Sequence, residues 1–220
     1  MMTTLLIATR NRHKVEEIRA ILGGDVTCQD LNDYPLIPPL VEDAATFAGN
    51  AARKAEQVAG WVASRGRAGG FVLADDSGLE VDALGGAPGV HSARFAALEA
   101  GGGGNASDTA NNAKLLRLLA EVPVEKRAAR FRCVLALVEW QDSGVILAPR
   151  LFEGACEGRI SLAASGGGGF GYDPLFVPEG FTESFAELGG EVKNRLSHRA
   201  KALAGLCAWA KAQGGGYGTR

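Results

Sequence analysis

The chain has 220 residues, 46% of them hydrophobic, enough for one well-buried α/β core or two closely joined lobes and too little for several independent domains. With 22% charged residues and a formal net charge of -2, it has no global positive field to hold DNA or RNA, so nucleic acid is not expected as a partner. No apolar stretch approaches the ~20 residues of a membrane-spanning helix, and the N-terminal apolar run is too short for a signal peptide, so a cytoplasmic protein without a membrane partner is expected.

The opening TLLIAT, residues 4–9, is rich in strand formers, and Asn11 then precedes Val15, Ile18 and Leu22 at helical spacing. This reads as strand, turn and helix. A second short strand is expected over residues 26–28, followed by a loop over residues 30–45 that carries three prolines and several acids. An alanine-rich helix is expected over residues 46–64, ending at Gly66, and then a buried strand, FVLADD, a turn at Ser77-Gly78 and an irregular glycine-rich loop, LGGAPGVHSARF. The glycines of residues 101–104 form a spacer, after which Asp108 or Thr109 is expected to cap a helix containing Leu115, Leu118 and Leu119. RFRCVLALVEW and VILAPRLFEGACEG read as neighbouring strands joined by a turn around residues 142–144. A second glycine cluster, SGGGGFGYDPLF, precedes a final helix over residues 192–212, with Leu196, Ala200, Leu203, Cys207 and Ala210 on one face. One domain over residues 1–213 and a frayed tail over residues 214–220 are expected.

Cys28, Cys133, Cys156 and Cys207 are widely separated and form no CxxC pair, so they read as reduced structural thiols. With only His13, His91 and His198 in the chain, a zinc site of several histidines is not expected, and any metal should be a hard ion held by oxygen.

Four segments can carry chemistry. Thr9, Arg10, Asn11, Arg12, His13 and Lys14 lie where the first strand meets the first helix, and a helix N-terminus with unpaired N–H groups beside a lysine can cradle phosphate. It is not a P-loop, because GxxxxGK[ST] is absent, and an ordinary capped helix explains the segment as well. Asp75 and Asp76 end a run that otherwise reads as buried strand, where adjacent carboxylates repel and need a cation or hydrogen bonds. Strand alternation points them to opposite faces, which suggests different jobs, although a pair of turn-capping acids is the plainer alternative. Glu42 and Asp43 could complete a carboxylate site for Mg²⁺ or be solvated loop acids, and Lys54 could equally face solvent. In FGYDP, residues 170–174, an aromatic pair on a glycine-rich loop allows a planar ring to stack while Asp173 accepts hydrogen bonds; a tight turn with anchoring aromatics is the alternative. Lys193, Ser197, His198 and Arg199 crowd one short stretch, which a solvated helix face would also explain.

In this order the segments TRNRHK-x-x-E, TF-x-x-N-A-x-x-K-A, ADDSGLEVDALGGAPGVHSARF, RFRCVLAL, GGFGYDPLF and K-x-x-x-SHR-x-x-A resemble the bacterial inosine triphosphate pyrophosphatase family over almost the whole chain. The resemblance implies hydrolysis of aberrant purine nucleoside triphosphates (ITP, dITP, XTP) to monophosphate and pyrophosphate, with Mg²⁺, by a homodimer. It implies an elongated mixed α/β fold, a twisted sheet with flanking helices in two lobes around a nucleotide cleft. By position, residues 9–14 and Lys54 would bind the triphosphate. Asp76 would be metal ligand and proton acceptor, with Ser77 beside it on the substrate and Glu42 as the second metal carboxylate. Phe170, Gly171, Tyr172 and Asp173, with Lys193, His198 and Arg199, would form the nucleotide pocket, and His198 and Arg199 would donate to the 6-keto group that distinguishes hypoxanthine and xanthine from adenine. Many relatives carry an acidic pair with Thr-Gly where this chain has Val41-Glu42-Asp43-Ala44, and a glutamate where it has Gly49.

Overall fold

The computed structural model describes residues 4–24, 26–102 and 104–213, so the tail expected at residues 214–220 and one glycine of the spacer lie outside the described residues. The elements follow the order β1 (Thr4–Ile7), α1 (Arg12–Leu22), β2 (Thr27–Asp30), α2 (Phe47–Ala63), β3 (Gly70–Val81), α3 (Asp108–Leu118), β4 (Ala128–Trp140), β5 (Arg150–Ile160), β6 (Phe176–Pro178), α4 (Phe185–Leu196) and α5 (His198–Ala212), with short 3-10 turns after β3. The fold is mixed α/β: a six-stranded sheet in the order β2-β1-β3-β4-β5-β6, in which β1 is parallel to β2 and β3 while β5 and β6 are antiparallel.

Two compact units share these strands: residues 1–76, 133–154 and 199–220 in the first, and residues 77–132 and 155–198 in the second. In the first, Leu5 and Ile7 of β1, Leu73 of β3 and Cys133, Leu135 and Leu137 of β4 pack with Val15, Ile18 and Leu22 of α1 and with Ala202, Leu203 and Leu206 of α5. The i, i+3, i+7 spacing on α1 buries one stripe against the sheet, as the sequence pattern requires. Asn11 caps α1 by accepting from the Lys14 N–H, and Thr46 caps α2 by accepting from the Gly49 N–H. In the second unit, Leu79 and Val81 of β3, Phe131 of β4, Cys156 and Ile160 of β5 and Phe176 of β6 enclose a core with Leu115, Tyr172, Leu175 and Phe185.

Four expectations need correction. No turn occurs at Ser77-Gly78, because β3 runs unbroken from Gly70 to Val81. Neither residue removes a backbone donor, so pairing within the sheet outweighs turn chemistry. Ser107, rather than Asp108 or Thr109, caps α3. The strand expected from residue 145 begins at Arg150, immediately after Pro149, which cannot donate to a ladder. The single final helix is two, separated at Ser197, whose backbone is extended (φ -65°, ψ 160°), and α4 is kinked at Gly189 (φ 77°). Serine hydroxyls compete for nearby backbone groups and favour helix ends over interiors.

Gly158 of β5 shows how tightly the second unit is built. A Cβ there would collide with the Val177 carbonyl oxygen and lie 2.7 Å from the Phe176 ring. Gly158→Ala is therefore expected to lower stability by about 1–3 kcal/mol, read as an earlier urea midpoint with an unchanged slope.

Candidate active site

The first unit brings Lys14 of α1, Lys54 of α2 and Arg199 of α5 to Glu42 and to Asp75 and Asp76 of β3. Asp75 and Asp76 are consecutive on β3, and their side chains leave opposite faces and find separate partners. Asp75, 1% exposed, accepts from Lys14 Nζ at 2.5 Å, from Arg199 Nε at 2.9 Å and from Cys133 Sγ at 3.2 Å. Arg199 is equally buried and also donates through Nη1 to Glu17 of α1. Burial works to raise the Asp75 carboxyl, but the Arg199 guanidinium and the Lys14 ammonium outweigh it and hold the group well below the usual carboxylate range. Burial, with the Asp75 charge beside it, pushes the Cys133 thiol well up, which leaves it inert.

Asp76 takes its partners from α2. Lys54 Nζ donates at 2.9 Å to Asp76 Oδ1, to Glu42 Oε2 and to the Asp75 carbonyl. Asn50, one turn earlier on α2, donates to Asp76 Oδ2 at 3.3 Å and accepts from the Ala44 N–H at 2.9 Å, tying the acidic loop to the strand. Burial would push Lys54 down, but the Asp76 and Glu42 carboxylates prevail and its pKa is raised, so it stays charged. Asp76 is itself raised, by burial first, against the opposing pull of Lys54 and Lys14. Two carboxylates thus already converge on one cation. An all-oxygen, anionic donor pair suits a hard divalent ion, which needs only one or two protein carboxylates when phosphate oxygens complete its shell. Asp43 pairs instead with Arg53.

Of the phosphate-loop candidates, Thr9 accepts from the Asn11 N–H at 3.1 Å, Arg10 donates to the Ile37 carbonyl at 2.6 Å, and Arg12 and His13 are exposed. Lys14 reaches the Asp75 carboxylate.

In the second unit, the loop at residues 169–173 is held by its own aspartate. Asp173 Oδ2 accepts from the Phe170 N–H at 2.8 Å and from Lys193 Nζ at 2.5 Å, and the same ammonium lies 4.3 Å from the centre of the Phe170 ring. Lys193 and Asp173 are buried, while Phe170 is half-buried. Tyr172 donates its hydroxyl to the Ser92 carbonyl at 2.9 Å, and burial followed by the Asp108 charge raises its pKa, so it remains a neutral donor. His198 is buried and stacks on Phe131 with ring centres 4.9 Å apart. Ser77 lies half-buried on β3.

Over residues 5–209 the sequence matches the model of the Ham1 family. The chain belongs to the Ham1 family. It is 44% identical over 205 residues to the dITP/XTP pyrophosphatase of Shouchella clausii, covering 93% of this chain and 95% of that protein. To the dITP/XTP pyrophosphatase of Pseudomonas syringae pv. tomato it is 49% identical over 206 residues, covering 92% and 94%. Among solved structures, a HAM1 protein from Coxiella burnetii matches with a TM-score of 0.79 at 33% identity, over 96% of this chain and all of that one.

Within this Ham1-family chain the sequence named most of the charged residues but not how they pair. Lys54 is buried between carboxylates rather than solvated, His198 is buried rather than exposed on a helix, and Arg199 serves Asp75 and Glu17. Glu17, Asn50 and Cys133 were missed as parts of the cluster. Asn50 had a legible signal: it and Lys54 stand one turn apart on the face of α2 that also buries Ala51, Ala55 and Val58. Polar residues on a buried helix face are there for a partner.

Proposed function

We propose that this protein hydrolyses the triphosphates of aberrant purines, ITP, dITP and XTP, to the nucleoside monophosphate and pyrophosphate. The observation that carries the reading is the pairing of Lys14 and Lys54 with Asp75, Asp76 and Glu42 at distances of 2.5–2.9 Å, in a chain whose relatives are dITP/XTP pyrophosphatases.

Moving water onto a phosphorus of a polyanion requires that charge be neutralised and the water oriented. Lys14 and Lys54 supply two fixed positive charges, and the N-terminus of α1, with the Thr9 hydroxyl and the Asn11 side-chain amide beside it, supplies donors for phosphate oxygens. Asp76 and Glu42 are the residues that would hold Mg²⁺, which when bound would neutralise further charge and polarise the phosphorus under attack. Asp76 orients the water and takes its proton as the new bond to the α-phosphorus forms. The bridging bond to the β-phosphate breaks, and pyrophosphate carries away the electron pair. In the second unit Phe170 stacks on the base, with its loop held by Asp173, and Lys193 lies behind the ring. We take its working form to be a homodimer, as the resemblance implies, and place the protein in the cytoplasm.

Hydrolysis of ITP in ¹⁸O-water tests the reaction. Label in inosine monophosphate and none in pyrophosphate is expected; label in pyrophosphate, or release of inorganic phosphate, would contradict attack at the α-phosphorus. Activity should also disappear with EDTA and return with Mg²⁺ but poorly with Ca²⁺, which is larger and less demanding of octahedral geometry. Full turnover in metal-free buffer would remove the metal from the account.

A further inference from the structure

Between Phe170 and Tyr172 lies Gly171, with φ at +63°. Glycine has the widest conformational freedom of any residue, so the orientation of the Phe170 ring depends on what restrains the Gly171 peptide. Both of its polar groups are taken by α3. The Gly171 N–H donates to Asp108 Oδ2 at 2.7 Å, and its carbonyl accepts from Asn112 Nδ2 at 3.0 Å. Asp108 and Asn112 are four residues apart and so share one face of the helix. That helix is a firm support: Leu115 is fully buried, Asn111 accepts from the Ala96 N–H at 2.8 Å, and Lys114 donates to the Phe95 carbonyl at 2.6 Å. Because Ser107 supplies the cap of α3, the Asp108 carboxylate is available for the loop.

We infer that Asp108 and Asn112 are positioning residues, which clamp the Gly171 peptide from both sides and so set the Phe170 ring for stacking on the purine. The inference rests on the function proposed above. It assigns the two residues to recognition of the base and not to the phosphates. A second observation separates this role from ordinary structural support. Asn112 Oδ1 is buried and accepts no hydrogen bond from the described residues, so its amide is only half satisfied where it stands. The end of the amide that makes a bond is the one directed at Gly171.

The test compares Asn112→Ala, Asp108→Ala and Asp108→Asn in the full chain. Three readouts are taken: kcat and KM for ITP, inhibition by inorganic tripolyphosphate, which reports phosphate contacts alone, and Tm. Each alanine variant is expected to raise KM roughly three- to tenfold, the effect of one lost hydrogen bond, with kcat and tripolyphosphate inhibition within about twofold of the unaltered protein. Asp108→Asn keeps an acceptor oxygen for the Gly171 N–H and is expected to retain a near-normal KM. Asn112→Ala is expected to lower Tm by no more than about 2–4 °C, the effect of one lost hydrogen bond. An unchanged KM in Asn112→Ala, or KM and tripolyphosphate inhibition weakening by one common factor, would overturn the clamp. Turnover of ITP by the unaltered protein is measured first, so that its absence, which would remove the underlying function and the clamp with it, is told apart from failure of the clamp alone.

Discussion

Asp76→Asn is expected to lower kcat for ITP by roughly 10²–10⁴-fold, the usual contribution of a positioned general base, while ITP still binds. Asn matches Asp in shape, so β3 and the Asn50 contact can persist, and Lys54 keeps Glu42 as a counter-charge. What is lost is the proton acceptor and one anionic oxygen for the cation. Kinetics with equilibrium dialysis on the folded variant separate the two steps. Near-normal turnover would remove Asp76 from the mechanism.

Arg199→Ala is expected to have the largest effect on stability, about 3–5 kcal/mol, because it leaves the buried carboxylate of Asp75 and the largely covered one of Glu17 without their guanidinium. The lysine substitution, Arg199→Lys, keeps the charge but not the planar fork that spans both acids, and should fold with an intermediate urea midpoint. In that folded variant, kcat/KM for ITP and for ATP should fall by the same factor, since Asp75 carries the Arg199 contact to Lys14 on the phosphate side. The resemblance alone led to a different expectation, that Arg199 donates to the base and that its loss narrows the gap between the two substrates. A selective loss of ITP activity would instead support that assignment, with Arg199 as a reader of the 6-keto group.

How much of this was legible depends on the distance over which each residue acts. Local chemistry was readable: Asn11 before an amphipathic run gave the cap of α1, whereas Thr46, read as the first residue of its helix, turns out to cap α2. The opposite facing of Asp75 and Asp76 followed from strand alternation alone, and their separate sets of partners agree with it. The identity of those partners was not readable, since Lys14 and Arg199 stand 61 and 124 positions from Asp75, and nothing in a local window connects them. For the same reason Lys54, Lys193 and Arg199 looked like surface cations. Each is buried because a carboxylate from a distant segment meets it.

The departures at residues 41–49 have a local explanation. A Cβ at Gly49 would lie 2.8 Å from the Cβ of Ala44, so the alanine in the loop and the glycine in the helix accommodate each other. Asn50 holds that loop through the Ala44 N–H, and Glu42 reaches Lys54. The break at Ser197 and the continuity of β3 were misread for one reason. Propensity describes isolated segments, whereas the sheet and the buried His198 and Arg199 determine where these segments bend.

The most direct measurement is a panel of ITP, dITP, XTP, ATP and GTP with Mg²⁺, in which monophosphate, phosphate and pyrophosphate are assayed separately. Equimolar monophosphate and pyrophosphate are expected from ITP, dITP and XTP, with ATP slower in kcat/KM by more than about tenfold. Release of inorganic phosphate, or turnover of ATP as fast as that of ITP, would contradict the proposed function.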